Sequence, residues 1–222
     1  MSRLYLIPTP IGNLEDITLR ALRILNEANI VLAEDTRNTK KLCSHYNIEA
    51  TLASFHMHNE HKVLQKWIDS LKEGMIIALV SDAGTPAISD PGFLLVREAI
   101  KEGIKVDCLP GATAFVPALV NSGLPSDRFT FEGFLPLKKG RKKRMMILAE
   151  EERTMIFYES PHRVIKTLHQ FLEYFGASRR ISVSREISKI FEQTIRGSIY
   201  DVILQLSQKK PKGEFVIVVA GK

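Results

Sequence analysis

The sequence is poor in cysteine, has no long apolar run and lacks the familiar nucleophile and phosphate-binding signatures. Each shortage removes a class of protein. Two cysteines in 222 residues, Cys43 and Cys108, cannot build a disulfide framework. Each lies in an apolar-patterned segment, so we expect buried free thiols of a reducing compartment. No apolar stretch approaches the roughly 20 residues that a membrane-crossing helix needs. The run Met1-Ser2-Arg3-Leu4-Tyr5-Leu6-Ile7-Pro8 is short for a secretory signal and is broken by proline. The expectation is a cytoplasmic protein with no membrane partner. Gly-x-Ser-x-Gly, P-loop and Cys-x-x-Cys patterns are all missing, which leaves covalent catalysis without an obvious nucleophile. There are no internal repeats and no low-complexity tracts.

What is present is ordinary in bulk and uneven in distribution. The hydrophobic fraction of 45% and charged fraction of 25% fit a globular chain. A net charge of +6 is a modest bias toward anionic partners. Lys138-Lys139-Gly140-Arg141-Lys142-Lys143-Arg144 places six basic residues in seven positions, just after Phe134-Leu135-Pro136. This reads either as a solvated loop and helix face or as a mobile phosphate-binding arm for nucleic acid.

Apolar periodicity alternates between strand and helix. Strands are expected at Leu4 to Ile7, Ile30 to Ala33, Met75 to Val80 and Val106 to Leu109. Ala21, Leu22, Leu25 and Ala28 form one helical stripe. Val63, Leu64, Trp67, Ile68 and Leu71 form another, stopped by Gly74. A helix over Phe93 to Ile100 follows. This alternation argues for a mostly parallel sheet with both faces covered. The cluster Asn121-Ser122-Gly123-Leu124-Pro125 marks the change of domain, and we divide the chain as 1–117 and 118–222. Beyond it the pattern starts again, with strands at Phe129 to Phe134, Thr154 to Tyr158, Ile181 to Ser184, Ile190 to Ile195 and Phe215 to Ala220. Helical stripes run through Val164, Ile165, Leu168, Phe171, Leu172 and Phe175, and through Ile199, Val202, Ile203 and Leu206.

The segment Ser81-Asp82-Ala83-Gly84-Thr85-Pro86-Ala87-Ile88-Ser89-Asp90-Pro91-Gly92 joins a buried strand to a helix, and open α/β sheets build ligand sites at such strand ends. Small residues let the backbone approach a ligand, and Asp82 can accept hydrogen bonds. Asp90 is expected to cap the next helix, with Pro91 in its first turn. A tight βα loop without a ligand is the plainer reading. After the first strand, Pro8-Thr9-Pro10-Ile11-Gly12-Asn13 has prolines where a dinucleotide-binding Rossmann turn needs glycines. Glu34, Asp35 and Arg37 crowd the end of the second strand, either compensating one another with Thr36 as cap or contacting substrate. His56, His58 and His61 match no standard zinc spacing, so no metal is expected. Ser160 before Pro161 reads as a helix N-cap, and Arg185 with Glu186 as an ion pair.

Together these segments closely resemble one family. Ile7 to Leu14, Ala33 to Arg37, Ser54-Phe55-His56, His58-Asn59-Glu60, Ser81 to Gly92, Leu109 to Ala114, Phe131 to Pro136, Tyr158 to Arg163 and Gly213-Glu214 occur in the order shown by the ribosomal RNA small subunit methyltransferase I group of the tetrapyrrole methylase superfamily. The resemblance implies an α/β fold of two α/β domains, of the class III methyltransferase type, with an interdomain cleft that binds S-adenosylmethionine. It implies a homodimer that methylates the ribose 2′-oxygen of a cytidine in the decoding region of 16S rRNA. By analogy, the cofactor would contact Pro10, Val80, Ser81, Asp82, Ala83, Ile88 and Ser89. Further contacts would come from Thr113, Ala114, Phe157, Tyr158, Glu214 and Phe215, the aromatic residues covering it. For substrate handling we expect Glu34, Asp35, Arg37 and His56, with Asp35 first as general base. RNA phosphates would lie along Lys138, Lys139, Arg141, Lys142, Lys143 and Arg144, with a base stacked on Phe134. Many members of the group continue past Lys222 into a small helical extension, whose role the basic stretch would take over. A tetrapyrrole or diphthamide-precursor methylase and a non-catalytic ribosome-binding relative are the competing readings.

Overall fold

Alternating side-chain parity along short apolar strands builds the first half of the chain into a sheet covered on both faces. The computed structural model describes residues 2–222. In chain order the elements are β1 (Arg3–Leu6), α1 (Leu19–Glu27), β2 (Ile30–Ala33), α2 (Thr36–His45), β3 (Leu52–Ser54), α3 (Glu60–Lys72), β4 (Ile76–Val80), α4 (Phe93–Lys101) and β5 (Lys105–Cys108). The strands lie in the order β3-β2-β4-β1-β5, all parallel. Leu4, Leu6, Leu32, Ile77 and Leu79 point to one face, where Trp67, Ile68 and Leu71 of α3 and Leu95 and Ala99 of α4 bury against them. Val31, Ala33, Ala78 and Val80 point to the other face, against Ala21, Ile24 and Leu25 of α1. Each fully buried aliphatic side chain contributes about 1.5–3 kcal/mol. The helix after β1 and the helix after β4 therefore lie on opposite faces of adjacent strands. That is the topological switch point of an open α/β sheet.

The second half comprises α5 (Phe115–Ser122), β6 (Phe129–Phe134), α6 (Arg141–Ala149), β7 (Thr154–Glu159), α7 (Val164–Phe175), β8 (Arg180–Arg185), β9 (Gln193–Ser198), α8 (Ile199–Leu206) and β10 (Phe215–Val219). Its sheet has the order β6-β7-β10-β8-β9. Only β6 and β7 pair in parallel; the other three pairings are antiparallel. Phe157, Phe215, Ile217 and Val219 pack under α6, α7 and α8. Ile156, Val216 and Val218 pack under Ala118 and Leu119 of α5.

Several expectations are corrected here. The chain divides after Thr113 rather than near the Gly/Pro cluster, because α5 buries its apolar face on the second sheet. Gly123 is the left-handed C-cap of α5 (φ 69°) and not a linker residue. The second sheet is mainly antiparallel, since β8 and β9 form a hairpin and β10 returns between β7 and β8. The strand expected from Ile190 begins only at Gln193, and Ile190 stands 95% exposed in the hairpin loop. Cys43 is buried, but Cys108 is exposed at the end of the edge strand β5. Gly92 (φ 134°), not Asp90, precedes the first residue of α4. Ser160 likewise sits a turn ahead of α7, whose N-cap is Arg163. Among the described residues no helix is long and apolar enough to cross a membrane.

Candidate active site

Because all five strands of the first sheet are parallel, the loops that follow them share one edge. The loops after β1, β4 and β5 are laced together there. Thr9 and Gly84 form an isolated antiparallel bridge. The buried Thr9 hydroxyl donates to Ser81 O at 3.1 Å, and Thr85 Oγ1 donates to Ala112 O at 3.0 Å. A side chain at position 111 would come within 2.7 Å of the Pro8 ring, so only glycine lets the β5 loop pack on the β1 loop. Ala87 and Ser89 hold left-handed backbone angles (φ 68° and 64°) in the β4 loop. Non-glycine residues adopt such angles at a cost of about 1–3 kcal/mol, and they cluster at functional sites. Thr9, Pro10, Leu14, Asn38, Ser81 and Asp82 border a cavity of ≈ 170 Å³ at the switch point. Small-molecule sites usually enclose about 300–1,000 Å³, so this cavity is too small to enclose a whole cofactor.

Carboxylates from two segments, the loops after β2 and β4, gather beside it. Asp82 accepts from the Asp35 backbone N–H and from Asn38 Nδ2, both at 3.1 Å, which ties the β4 loop to the first turn of α2. Burial, followed by the Asp82 charge, pushes the Glu34 carboxyl above its ordinary range. Burial, with the Glu34 and Asp82 charges, raises Asp90 to about 7 against an opposing hydrogen bond from Ser81. Asp35 behaves in the opposite way. It caps α2 by accepting from Arg37 N at 2.8 Å, and the Arg37 guanidinium grips both its oxygens, at 3.0 and 2.6 Å. Those contacts hold its carboxyl down to about 2. Asp35 therefore holds a proton less readily than Asp90 or Glu34. His56, at the end of β3, accepts from His58 N through Nδ1 at 3.2 Å, leaving Nε2 as the protonated nitrogen. Among the described residues no group of His, Cys, Asp and Glu could hold a metal ion.

The remaining candidates divide by environment. Pro10, Ala83, Ile88, Ser89 and Thr113 are at least partly accessible at the loop edge, while Ser81 is buried and the Val80 side chain lies in the core. Ala114 opens α5 and Tyr158 is half-buried beside Phe131 and Phe134, with ring centroids 5.1 and 5.7 Å away. Phe157 and Phe215 are not available to cover a ligand. Both are buried in the second core, where Phe157 packs on Phe171. Glu214 is exposed and pairs with Lys189 at 2.9 Å.

The basic stretch is not a mobile arm. Lys138 and Lys139 precede Gly140, and the rest begins α6. Arg141 turns inward, donating to Gln170 at 2.8 Å, Pro136 O at 3.1 Å and Thr167 at 2.7 Å. Burial lowers its guanidinium below the usual range. Thr167 donates on to the buried Glu159 at 2.7 Å, and Arg163 pairs with Glu159 at 2.8 Å. Arg144 pairs with Glu132. Lys138, Lys139, Lys142 and Lys143 remain exposed. Asn38 and Thr9 were not anticipated; the Asn38 signal was its place in the first turn after Asp35.

Residues 3–203 match the model of the Tetrapyrrole (Corrin/Porphyrin) Methylases. A "Ribosomal RNA small subunit methyltransferase I" from Halalkalibacterium halodurans is 50% identical over 98% of this chain and 75% of its own length. A protein of the same name from Thermotoga maritima is 45% identical over the whole of both chains. Among solved structures, uroporphyrin-III C-methyl transferase from Thermus thermophilus, complexed with S-adenyl homocysteine, superposes with a TM-score of 0.65 at 19% identity, covering 97% of this chain and 96% of that one.

Proposed function

The chain belongs to the tetrapyrrole methylase family and is an S-adenosylmethionine-dependent methyltransferase, and from that premise we propose that its acceptor is the ribose 2′-hydroxyl of a cytidine in the decoding region of small-subunit ribosomal RNA. The observation that carries the RNA reading is the near full-length likeness to proteins named for small-subunit rRNA methylation. Such a substrate goes with a cytoplasmic protein, and action as a homodimer is what the family resemblance implies.

The donor set at the loop edge fits the cofactor. Asp82 offers an exposed carboxylate to hydroxyl or ammonium groups, while Pro10, Ala83 and Ile88 offer small or apolar surface beside it. When bound, S-adenosylmethionine supplies a methyl group on a cationic sulfur, and the carboxylates of Glu34, Asp82 and Asp90 favour positive charge there. The chain's own tasks are positioning and proton removal. A ribose hydroxyl attacks well only as its proton leaves, and a base titrating near the working pH serves best. Asp90, near 7, fits that role, with Glu34 beside it as a second acceptor. Asp35 holds α2 and Arg37 in place, and His56 Nε2–H is a donor for a ribose or phosphate oxygen. Lys138, Lys139, Lys142 and Lys143 meet the RNA backbone, and Phe134, 52% exposed, offers a stacking face.

The test is transfer of tritiated methyl from the cofactor to undermethylated small subunits, followed by nucleoside analysis. Label in 2′-O-methylcytidine is the expected result. Label in another nucleoside, or none at all, overturns the proposal.

A further inference from the structure

The second sheet gathers a set of loops at one end that the proposed chemistry leaves unused. β8 runs up to the loop 186–192, and both β9 and β10 start from the same end, because Arg185 is in register with Gln193 and with Phe215. The segment 207–214 that leads into β10 therefore lies beside the 186–192 loop. The two are pinned together: Glu186 N donates to Glu214 O at 3.0 Å, Glu214 N to Glu186 Oε1 at 2.9 Å, and Lys189 bridges both carboxylates at 2.9 Å. A Cβ at Gly213 would lie 2.4 Å from Glu186, so the contact requires glycine. The loop is also shaped from within. Glu186 and Ser188 hold left-handed angles (φ 53° and 67°), Arg185 donates to Phe191 O at 3.1 Å, and Ser188 N donates to Glu192 at 2.7 Å.

The loop so held displays apolar surface. Ile190 is 95% exposed and Phe191 70% exposed at the tip. A loop this closely tied could have turned them inward. Alongside, Lys209, Lys210 and Lys212 are exposed, and among the described residues none of them enters an ion pair. A preformed aromatic face flanked by unpaired cations matches what single-stranded nucleic acid needs, a surface for base stacking beside charge for phosphates.

We infer that the 186–192 loop and the Lys209–Lys212 segment form a second single-stranded RNA contact, in which a base stacks on Phe191 and the lysines take the adjacent phosphates. This rests on RNA being the substrate and adds a subsite to that reading. The register supports a track rather than an isolated spot. Phe134 ends β6 at one margin of the sheet and Phe191 stands over the other margin, at the same end, four strand spacings or about 19 Å apart. Two stacking faces so placed hold a strand laid across the sheet end.

The experiment measures anisotropy of a labelled single-stranded oligoribonucleotide with the parent protein, Phe191→Ala and the double variant Lys209→Glu/Lys210→Glu. All three substituted positions are exposed, and thermal unfolding with calorimetric S-adenosylmethionine binding checks that fold and cofactor site are intact. Phe191→Ala is expected to weaken RNA binding about ten-fold with the salt slope unchanged. The double variant is expected to weaken it with a shallower salt slope. If the parent binds and both variants match it, the subsite is wrong while the substrate reading stands. If the parent does not bind RNA, both fall. Loss of binding to phosphatidylserine vesicles, or of oligomeric mass, with RNA affinity unchanged would reassign the tip to a lipid surface or to a second copy of the chain.

Discussion

Thr9 and Gly84 exchange two backbone hydrogen bonds, each 2.9 Å, although the strands they follow run parallel. One loop therefore reverses direction relative to the other, and the two close the switch point with a rung of opposite sense. That rung fixes where Ser81, Asp82 and Ala83 face.

Gly84→Ala tests how much the rung depends on backbone freedom. Gly84 has φ 84°, and an added Cβ would meet Ile11 at an ordinary 3.5 Å, so the penalty is conformational and not steric. We expect about 1 kcal/mol of destabilisation. It should appear as a lower urea midpoint with an unchanged m value.

Asp90 makes stability fall with rising pH. Its carboxyl titrates near 7 in the folded protein against 3.8 for an ordinary aspartate. Across that window the folded chain keeps a proton that the unfolded chain has released, so stability declines through it and levels off above 7. Glu34, shifted in the same direction, adds to the slope. Urea midpoints between pH 5 and pH 8 should drop for the parent and drop less for Asp90→Asn. A steeper decline in the variant would refute the assignment.

Catalysis should follow the same carboxylate. Asp90→Asn is expected to lower the rate of methyl transfer about 10²–10⁴-fold, the usual contribution of a general base. Asp35→Asn, which replaces a carboxyl already held near 2 by Arg37, should stay within a few-fold of the parent. Single-turnover rates on undermethylated small subunits separate the two, and the reverse ranking would restore Asp35 as base.

Glu159 carries a buried network. It joins Arg163 directly and Arg141 through Thr167, and its side chain is 1% exposed. Glu159→Ala leaves a cation and a hydroxyl without their acceptor, which should destabilise by about 3 kcal/mol or more. Denaturant unfolding reads this directly.

Charge reversal on α6 should discriminate between its faces. Lys142→Glu/Lys143→Glu, both exposed, is expected to weaken RNA binding most at low salt and to flatten the salt dependence. An equal loss at every salt concentration would mean that RNA docks elsewhere.

The apolar runs made much of the fold readable in advance. β4 and β10 are buried along nearly their whole length, and α3 and α7 carry continuous stripes. β3 escaped because two half-buried residues and an exposed serine at a sheet margin form no run. α2 escaped because it is polar, with only Thr39, Leu42 and Cys43 buried. Strand direction in the second sheet was hidden as well, since burial alternates alike in parallel and antiparallel pairs. In the site, the residue types were legible and their roles were not. Asp90 owes its proton affinity first to burial and then to the charges of Glu34, remote in sequence, and of Asp82 in its own loop, and Asp35 loses its own to a neighbour that reads equally well as a substrate contact. Arg141 looked like one cation among six, yet its partners on α7 lie 26 and 29 residues away.

The place of β1 in its sheet bears on how the chain is born. Among the described strands it is made first, but its two neighbours are β4 and β5, which begin only at Ile76 and Lys105. During synthesis an apolar segment therefore waits without a ladder partner while most of its unit is still being made. The hairpin of β8 and β9, by contrast, can close as soon as it emerges.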